Sequence, residues 1–235
     1  MISLRNVTKT YPGANRSPAV TAIQDVDLDV EKGEFLVITG RSGSGKTTLL
    51  NVAGGLVRPT SGKVLLDRQD LSALSDGQQS RLRNGKVGFI FQFPSLLPSL
   101  TVLENVALPL SLSRNNGPVE PGRAAELLEM VGLDDKLGSY PRQLSAGQQQ
   151  RVVIARSLVH RPEILFADEP SSDLDEETER EIMALLRDVH QGTGLTIVMV
   201  THALELVDYC TRAIEMAAGR VLSPSAGPTA CVPSR

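Results

Sequence analysis

The run Glu34-Phe35-Leu36-Val37-Ile38-Thr39-Gly40-Arg41-Ser42-Gly43-Ser44-Gly45-Lys46-Thr47 constrains this chain more than any other stretch. Its apolar half reads as a buried strand. The strand runs into two glycines separated by four residues, then a lysine and a hydroxyl residue. From Lys46 to Leu56, Leu49, Leu50, Ala53 and Leu56 recur on one helical face. Strand, glycine loop and helix, in that order, make a phosphate cradle. Gly43 and Gly45 let backbone N–H groups approach phosphate oxygens, and the helix N-terminus favours negative charge. Lys46 supplies a point charge for β- and γ-phosphates, and the Thr47 hydroxyl suits Mg²⁺. Gly40, Ser42, Ser44 and Thr48 complete the predicted loop.

Two further strings bear on what uses the loop. In Ile164-Leu165-Phe166-Ala167-Asp168-Glu169 an apolar run delivers two carboxylates to a strand end, where doubly wound folds bind ligands. Asp168 suits the shell of a divalent cation, and Glu169 suits the orientation or deprotonation of an attacking water. Leu144-Ser145-Ala146-Gly147-Gln148 precedes a helix. Ser145 fits as its N-cap, with neighbouring amides that suit an anion; the residues alone allow a plain helix cap as well.

The strand–helix alternation around these strings predicts an α/β fold with a mostly parallel sheet flanked by helices. Strands are expected at 34–39, 87–91, 163–168, 195–200 and 212–216, and helices at 46–56, 175–191 and near 203–209. Ile2, Leu4 and Val7, then Val26, Leu28 and Val30, predict an N-terminal antiparallel β subdomain. Between about 94 and 160 the pattern turns helical (102–108, 123–131, 146–160), punctuated by Pro109, Pro118, Pro121, Gly132 and Gly138. This predicts an inserted helical subdomain within one domain over 1–222. The Ser-, Pro- and Ala-rich stretch 223–235 reads as a disordered tail.

The bulk properties exclude several roles. A net charge of -3, no long basic run and 3% aromatic residues argue against a nucleic-acid surface. No run approaches a membrane span, and residues 1–20 have no apolar core of a signal peptide. Cys210 and Cys231 make no Cys-x-x-Cys pair or disulfide framework, which fits a reducing cytoplasm. A membrane role would therefore run through a partner.

With these strings in place, the chain strongly resembles the ATP-binding-cassette family, over about residues 1–222. The string Leu144–Gln148 resembles the family's Leu-Ser-x-Gly-Gln signature, and Tyr140-Pro141-Arg142-Gln143 before it is of cassette type. The resemblance implies a P-loop ATPase that uses ATP and Mg²⁺. It implies adenine stacking on Tyr11, which otherwise reads as a strand-end tyrosine. It makes Gln92 a sensor of Mg²⁺, water and the membrane partner. It makes Ser172-Asp173-Leu174-Asp175 a loop crossing a dimer interface, and His202 a switch that contacts the γ-phosphate. It further implies a head-to-tail dimer in which Ser145, Gly147 and Gln148 complete the partner's site, and a separate permease on the cytoplasmic face of the membrane. Two departures stand out: Ala146 replaces the signature's first glycine, tolerable if that position has ordinary φ, and Ala203 follows His202 where many relatives carry Asp.

Gly88–Pro98 and Thr101–Val106 resemble the branch of lipoprotein-releasing and macrolide- or peptide-export ATPases. Phe93, Leu96, Leu97 and Leu100 fit either a groove for a permease helix or ordinary subdomain core. An importer ATPase and a soluble assembly or cell-division cassette are the alternatives. The repair type would need coiled-coil insertions, and no sustained heptads are present.

Overall fold

The computed structural model describes residues 1–13, 18–112 and 122–222. The expected tail, Cys231, and part of the loop punctuation (Pro118, Pro121) lie outside the described residues. Two sheets organise the molecule. The first is antiparallel: β1 (Ile2–Tyr11) pairs with β2 (Val20–Val30) on one side and β4 (Ser61–Leu66) on the other, and β5 (Gln69–Asp70) closes the edge. The second has β3 (Phe35–Thr39), β6 (Val87–Ile90), β7 (Ile164–Asp168), β8 (Thr196–Val200), β9 (Arg212–Ala217) and β10 (Arg220–Val221) in the order β10-β9-β3-β8-β7-β6. It is parallel except for the β9–β10 hairpin.

Strand periodicity divides the interior. Phe35, Val37, Leu165, Ala167, Ile197 and Met199 face one cluster, shared with the helices α3 (Val102–Leu112), α4 (Arg123–Met130), α5 (Ala146–Leu158) and α6 (Glu176–Thr193). Leu36, Ile38, Ile164, Phe166, Val198 and Val200 face the other, shared with the antiparallel sheet and α1 (Lys46–Ala53). Strands buried on both faces read as continuous apolar runs, as these do. Among the described residues, the apolar side chains of α3, α4 and α5 join one face of the parallel sheet in a single cluster.

Several local expectations change. α1 stops at Ala53, because Gly54 caps it and Gly55 turns the chain with φ +70, so Leu56 lies beyond the helix and is exposed. Pro109 does not end α3 but sits inside it. The segment near 203–209 is a 3-10 helix, Leu204–Tyr209, rather than an α-helix. Residues 61–86 carry β4, β5 and α2 (Asp76–Lys86), none of which the sequence reading assigned. Of the apolar quartet, Leu96 packs against the core while Phe93 and Leu97 stay exposed.

Candidate functional site

Parallel register brings the chemistry to one edge. Ile38 and Asp168 both pair with Val200, so β3, β8 and β7 end level with one another. Their carboxyl ends carry the glycine loop, Thr201-His202 and Asp168-Glu169, and β6 ends two residues before Gln92. This is where open α/β sheets place ligands. Thr201 ties the edge together: its N–H donates to the Ile38 carbonyl (3.1 Å) and its hydroxyl accepts from the Ala203 N–H (3.1 Å).

In the glycine loop, Gly43 has φ +76 and Gly45 φ +101, conformations that side chains rarely take. A Cβ on Gly45 would lie 2.3 Å from the Ala22 carbonyl of β2, whereas one on Gly43 would meet nothing within 4 Å. Gly45 therefore serves packing against β2, and Gly43 faces open space. The β2 contact also carries Tyr11 toward the loop, since Tyr11 pairs with Val20, two residues from Ala22. The half-exposed Tyr11 ring has the Lys9 ammonium 5.1 Å from its centroid.

Lys46 is only 5% exposed. Its ammonium donates to the Gly40 and Arg41 carbonyls (2.7 and 3.2 Å) and lies 3.9 Å from Glu169 Oε1. The Ser44 hydroxyl is buried with no hydrogen-bond partner among the described residues, the kind of group that usually has one. Ser42 and Ser44, with Arg41 and Gly43, line a cavity of about 410 Å³ whose far wall is Glu215–Ala218. Thr48 sits half-buried on α1.

Thr47 Oγ1 donates to Asp168 Oδ1 at 3.0 Å. Burial pushes the Asp168 carboxyl above the usual range; the Thr47 hydrogen bond opposes the rise, the neighbouring Glu169 charge adds to it, and Lys46 opposes it. Glu169 has φ +44, a left-handed conformation that costs a non-glycine residue roughly 1–3 kcal/mol. That backbone is held by its N–H to the Val200 carbonyl (2.9 Å), and Oε2 meets His202 Nδ1 at 3.0 Å. The strain points the carboxylate at both Lys46 and His202. Gln92 is exposed and makes no hydrogen bond among the described residues.

The signature residues stand apart. Ser145 caps α5: its hydroxyl accepts from the Gln148 N–H (3.2 Å) and its N–H donates to Gln148 Oε1 (3.0 Å). No hydrogen bond joins them to the glycine loop of the same chain among the described residues. Ala146 is the first helical residue and has no positive φ, so its methyl costs no backbone strain. Gly147 is buried, and a Cβ there would lie 2.4 Å from the Thr178 methyl. Asp175 caps α6, accepting from the Thr178 N–H and hydroxyl (3.0 and 2.8 Å), which hold its carboxyl below the usual range. Sequence reading missed Thr178 and Thr201; no local pattern marks a methyl that fills the space beside a distant glycine.

The chain matches the family described as ABC transporter over residues 23–172. It is 43% identical to the lipoprotein-releasing system ATP-binding protein LolD of Syntrophotalea carbinolica, over 94% of this chain and 96% of that protein. It is 44% identical to the methionine import ATP-binding protein MetN 1 of Yersinia pestis bv. Antiqua, over 94% of this chain but 64% of that protein. A solved dimer of the ATP-binding cassette MJ0796, in a post-hydrolysis state bound to ADP and Pi, superposes with a TM-score of 0.86 at 41% identity, covering 94% of this chain and 96% of that one. With the glycine loop, the paired carboxylates and the signature all present, the chain belongs to the ABC transporter family, as an ATP-binding subunit of the P-loop ATPase type.

Proposed function

We propose that two copies of this chain pack head to tail and hydrolyse ATP at two shared sites, powering a separate permease of the lipoprotein-release or export kind. The observation that carries the hydrolytic reading is the single edge holding Lys46, Thr47–Asp168 and Glu169–His202. Lys46 and the loop amides of Gly40–Thr48 hold the phosphates. Glu169 accepts the proton of the attacking water as the bond from the terminal phosphorus to its bridging oxygen breaks. His202 holds Glu169 in place and lies on the side of the terminal phosphate. Tyr11 receives the adenine.

The residues fit a hard cation. A hydroxyl and a buried carboxylate stand 3.0 Å apart, an oxygen donor pair of the type Mg²⁺ takes. No group of three His, Cys, Asp or Glu side chains forms a metal site among the described residues. Thr47, Asp168 and Gln92 would therefore share Mg²⁺ with phosphate and water oxygens, and the cation would neutralise developing phosphate charge. The trans arrangement is supported by the separation of Ser145, Gly147 and Gln148 from their own loop, and by the dimeric relative. Asp175 lies at the same interface.

No helix of the described residues is long and apolar enough to cross a membrane. Family membership supports attachment to the cytoplasmic face through the permease. Residues 1–222 act as one ATPase domain. The segment 88–106 and the LolD relative support the export branch; the MetN relative, equally similar in identity, supports an importer as the second reading.

The test is Glu169→Gln. Turnover should fall by about 100-fold or more while ATP still binds, and ATP should trap a dimer in sedimentation. Turnover within about threefold of wild type would remove Glu169 from the role of base.

A further inference from the structure

α5 begins at the signature and ends under the Gln92 loop. Near its C-terminal end, Arg156 donates from Nη1 to the Ser95 carbonyl (2.9 Å) and from Nη2 to the Pro94 carbonyl (3.0 Å). These are its only polar partners among the described residues, and no carboxylate pairs with it. Burial alone moves its pKa, and moves it down. A cation placed with so little compensation is costly, and its planar fork matches the two successive carbonyls. The turn it grips is itself unusual: Ser95 has φ +47, and its hydroxyl donates to the Phe93 carbonyl (3.1 Å). All three carbonyls of Phe93, Pro94 and Ser95 are thus engaged. Gln92, immediately before them, is exposed and unbonded, suspended between the end of β6 and a turn fastened to α5.

From this we infer that Arg156 is a positioning residue that locks the Gln92 loop to the signature helix, so that the loop moves with α5. The inference rests on the proposed roles of Gln92 and the signature in ATP hydrolysis. When Ser145 engages a nucleotide held by the other copy, the displacement of α5 carries Pro94 and Ser95 with it. Gln92 then enters or leaves the Mg²⁺ edge without a contact of its own to the signature.

The test uses the full chain and Arg156→Met, which keeps the aliphatic stem and removes the half-buried charge, beside Arg156→Lys, which reaches one carbonyl at most. In Arg156→Met, amide exchange over 92–97 should quicken by about 10-fold or more while α5 amides keep their protection. The kcat should fall about 10-fold with KM for ATP within about twofold, and Arg156→Lys should lie between. Adding Gln92→Ala to Arg156→Met should cost less than about a further twofold, because both act through one group. Unchanged exchange at 92–97 overturns the inference, as does equal loosening of α5. Additive losses with Gln92→Ala also overturn it, leaving Arg156 a packing residue. A Gln92→Ala single variant with full kcat refutes the role given to Gln92, and the exchange result then decides by itself whether Arg156 is the lock.

Discussion

At the scale of the residue, Gly147 shows how one position serves two demands. The family resemblance assigns it to a nucleotide, yet its own chain already requires the missing side chain, because the Thr178 methyl occupies the space. Thr178 in turn holds Asp175 in its cap. Gly147→Ala should therefore destabilise the fold by about 1–3 kcal/mol, as overpacking does. Thr178→Ser removes the methyl and keeps the hydroxyl bond, so it should restore most of that loss. Denaturant midpoints of the two single variants and the double variant decide the point; a double variant no more stable than Gly147→Ala alone would refute the contact. Glu169 makes the complementary case. Its left-handed backbone is a local cost that aims a carboxylate between a lysine and a histidine.

At the scale of the element, polar side chains decide where helices meet loops. Asn105 is fully buried on α3 and accepts from the Leu97 N–H (2.8 Å), while its amide donates to the Leu97, Leu100 and Thr101 carbonyls (3.1, 3.1 and 2.9 Å). Asn105→Ala strands these groups and should cost about 3 kcal/mol in equilibrium unfolding. His160 follows α5 and joins it to β6 through Nε2 and the Val87 carbonyl (3.0 Å), while Nδ1 is buried without a partner among the described residues. Burial pulls its pKa below the ordinary 6.5, against the Val87 contact, which raises it. The unfolded chain therefore binds the proton first as pH falls through about 6.5, so this contribution is whole above that pH and is lost below it. Unfolding free energy measured at pH 7.5 and pH 5.5 should drop toward acid, and the drop should be smaller in His160→Gln. An equal drop in that variant would assign the acid sensitivity elsewhere.

At the scale of the whole molecule, the site lies where two cores meet. The parallel sheet separates a cluster under α3–α6 from one under α1 and the antiparallel sheet, and the ligand edge crosses both. A nucleotide bound there touches elements from each side, so binding should stabilise the folded chain as a unit. At about 100 times its Kd, ATP should add roughly 2.7 kcal/mol by mass action. If the site is completed by a second copy, the gain should also grow with protein concentration in Glu169→Gln. Calorimetry at two protein concentrations measures this; a gain independent of concentration would favour a site closed within one chain.

The ligand edge is legible in the residues alone. Runs such as Ile164–Asp168 and Thr196–Val200 are buried on both faces, so their apolar continuity fixes strand type, and their ends carry the functional groups with them. The phosphate cradle was equally plain, because its glycines, lysine and hydroxyl are contiguous. The remaining features depend on packing between distant segments. β4, β5 and α2 were illegible because Gln69–Asp70 is too short for periodicity and α2 is polar almost throughout. Pro109 reads as a break but is carried inside α3, whose Val102, Asn105 and Val106 are buried against the core. Arg156 reaches carbonyls 61 and 62 residues away, Asn105 reaches Leu97 8 residues away, and Thr178 meets Gly147 through a methyl. Local sequence records such residues without recording what they will face, because their partners are chosen by packing.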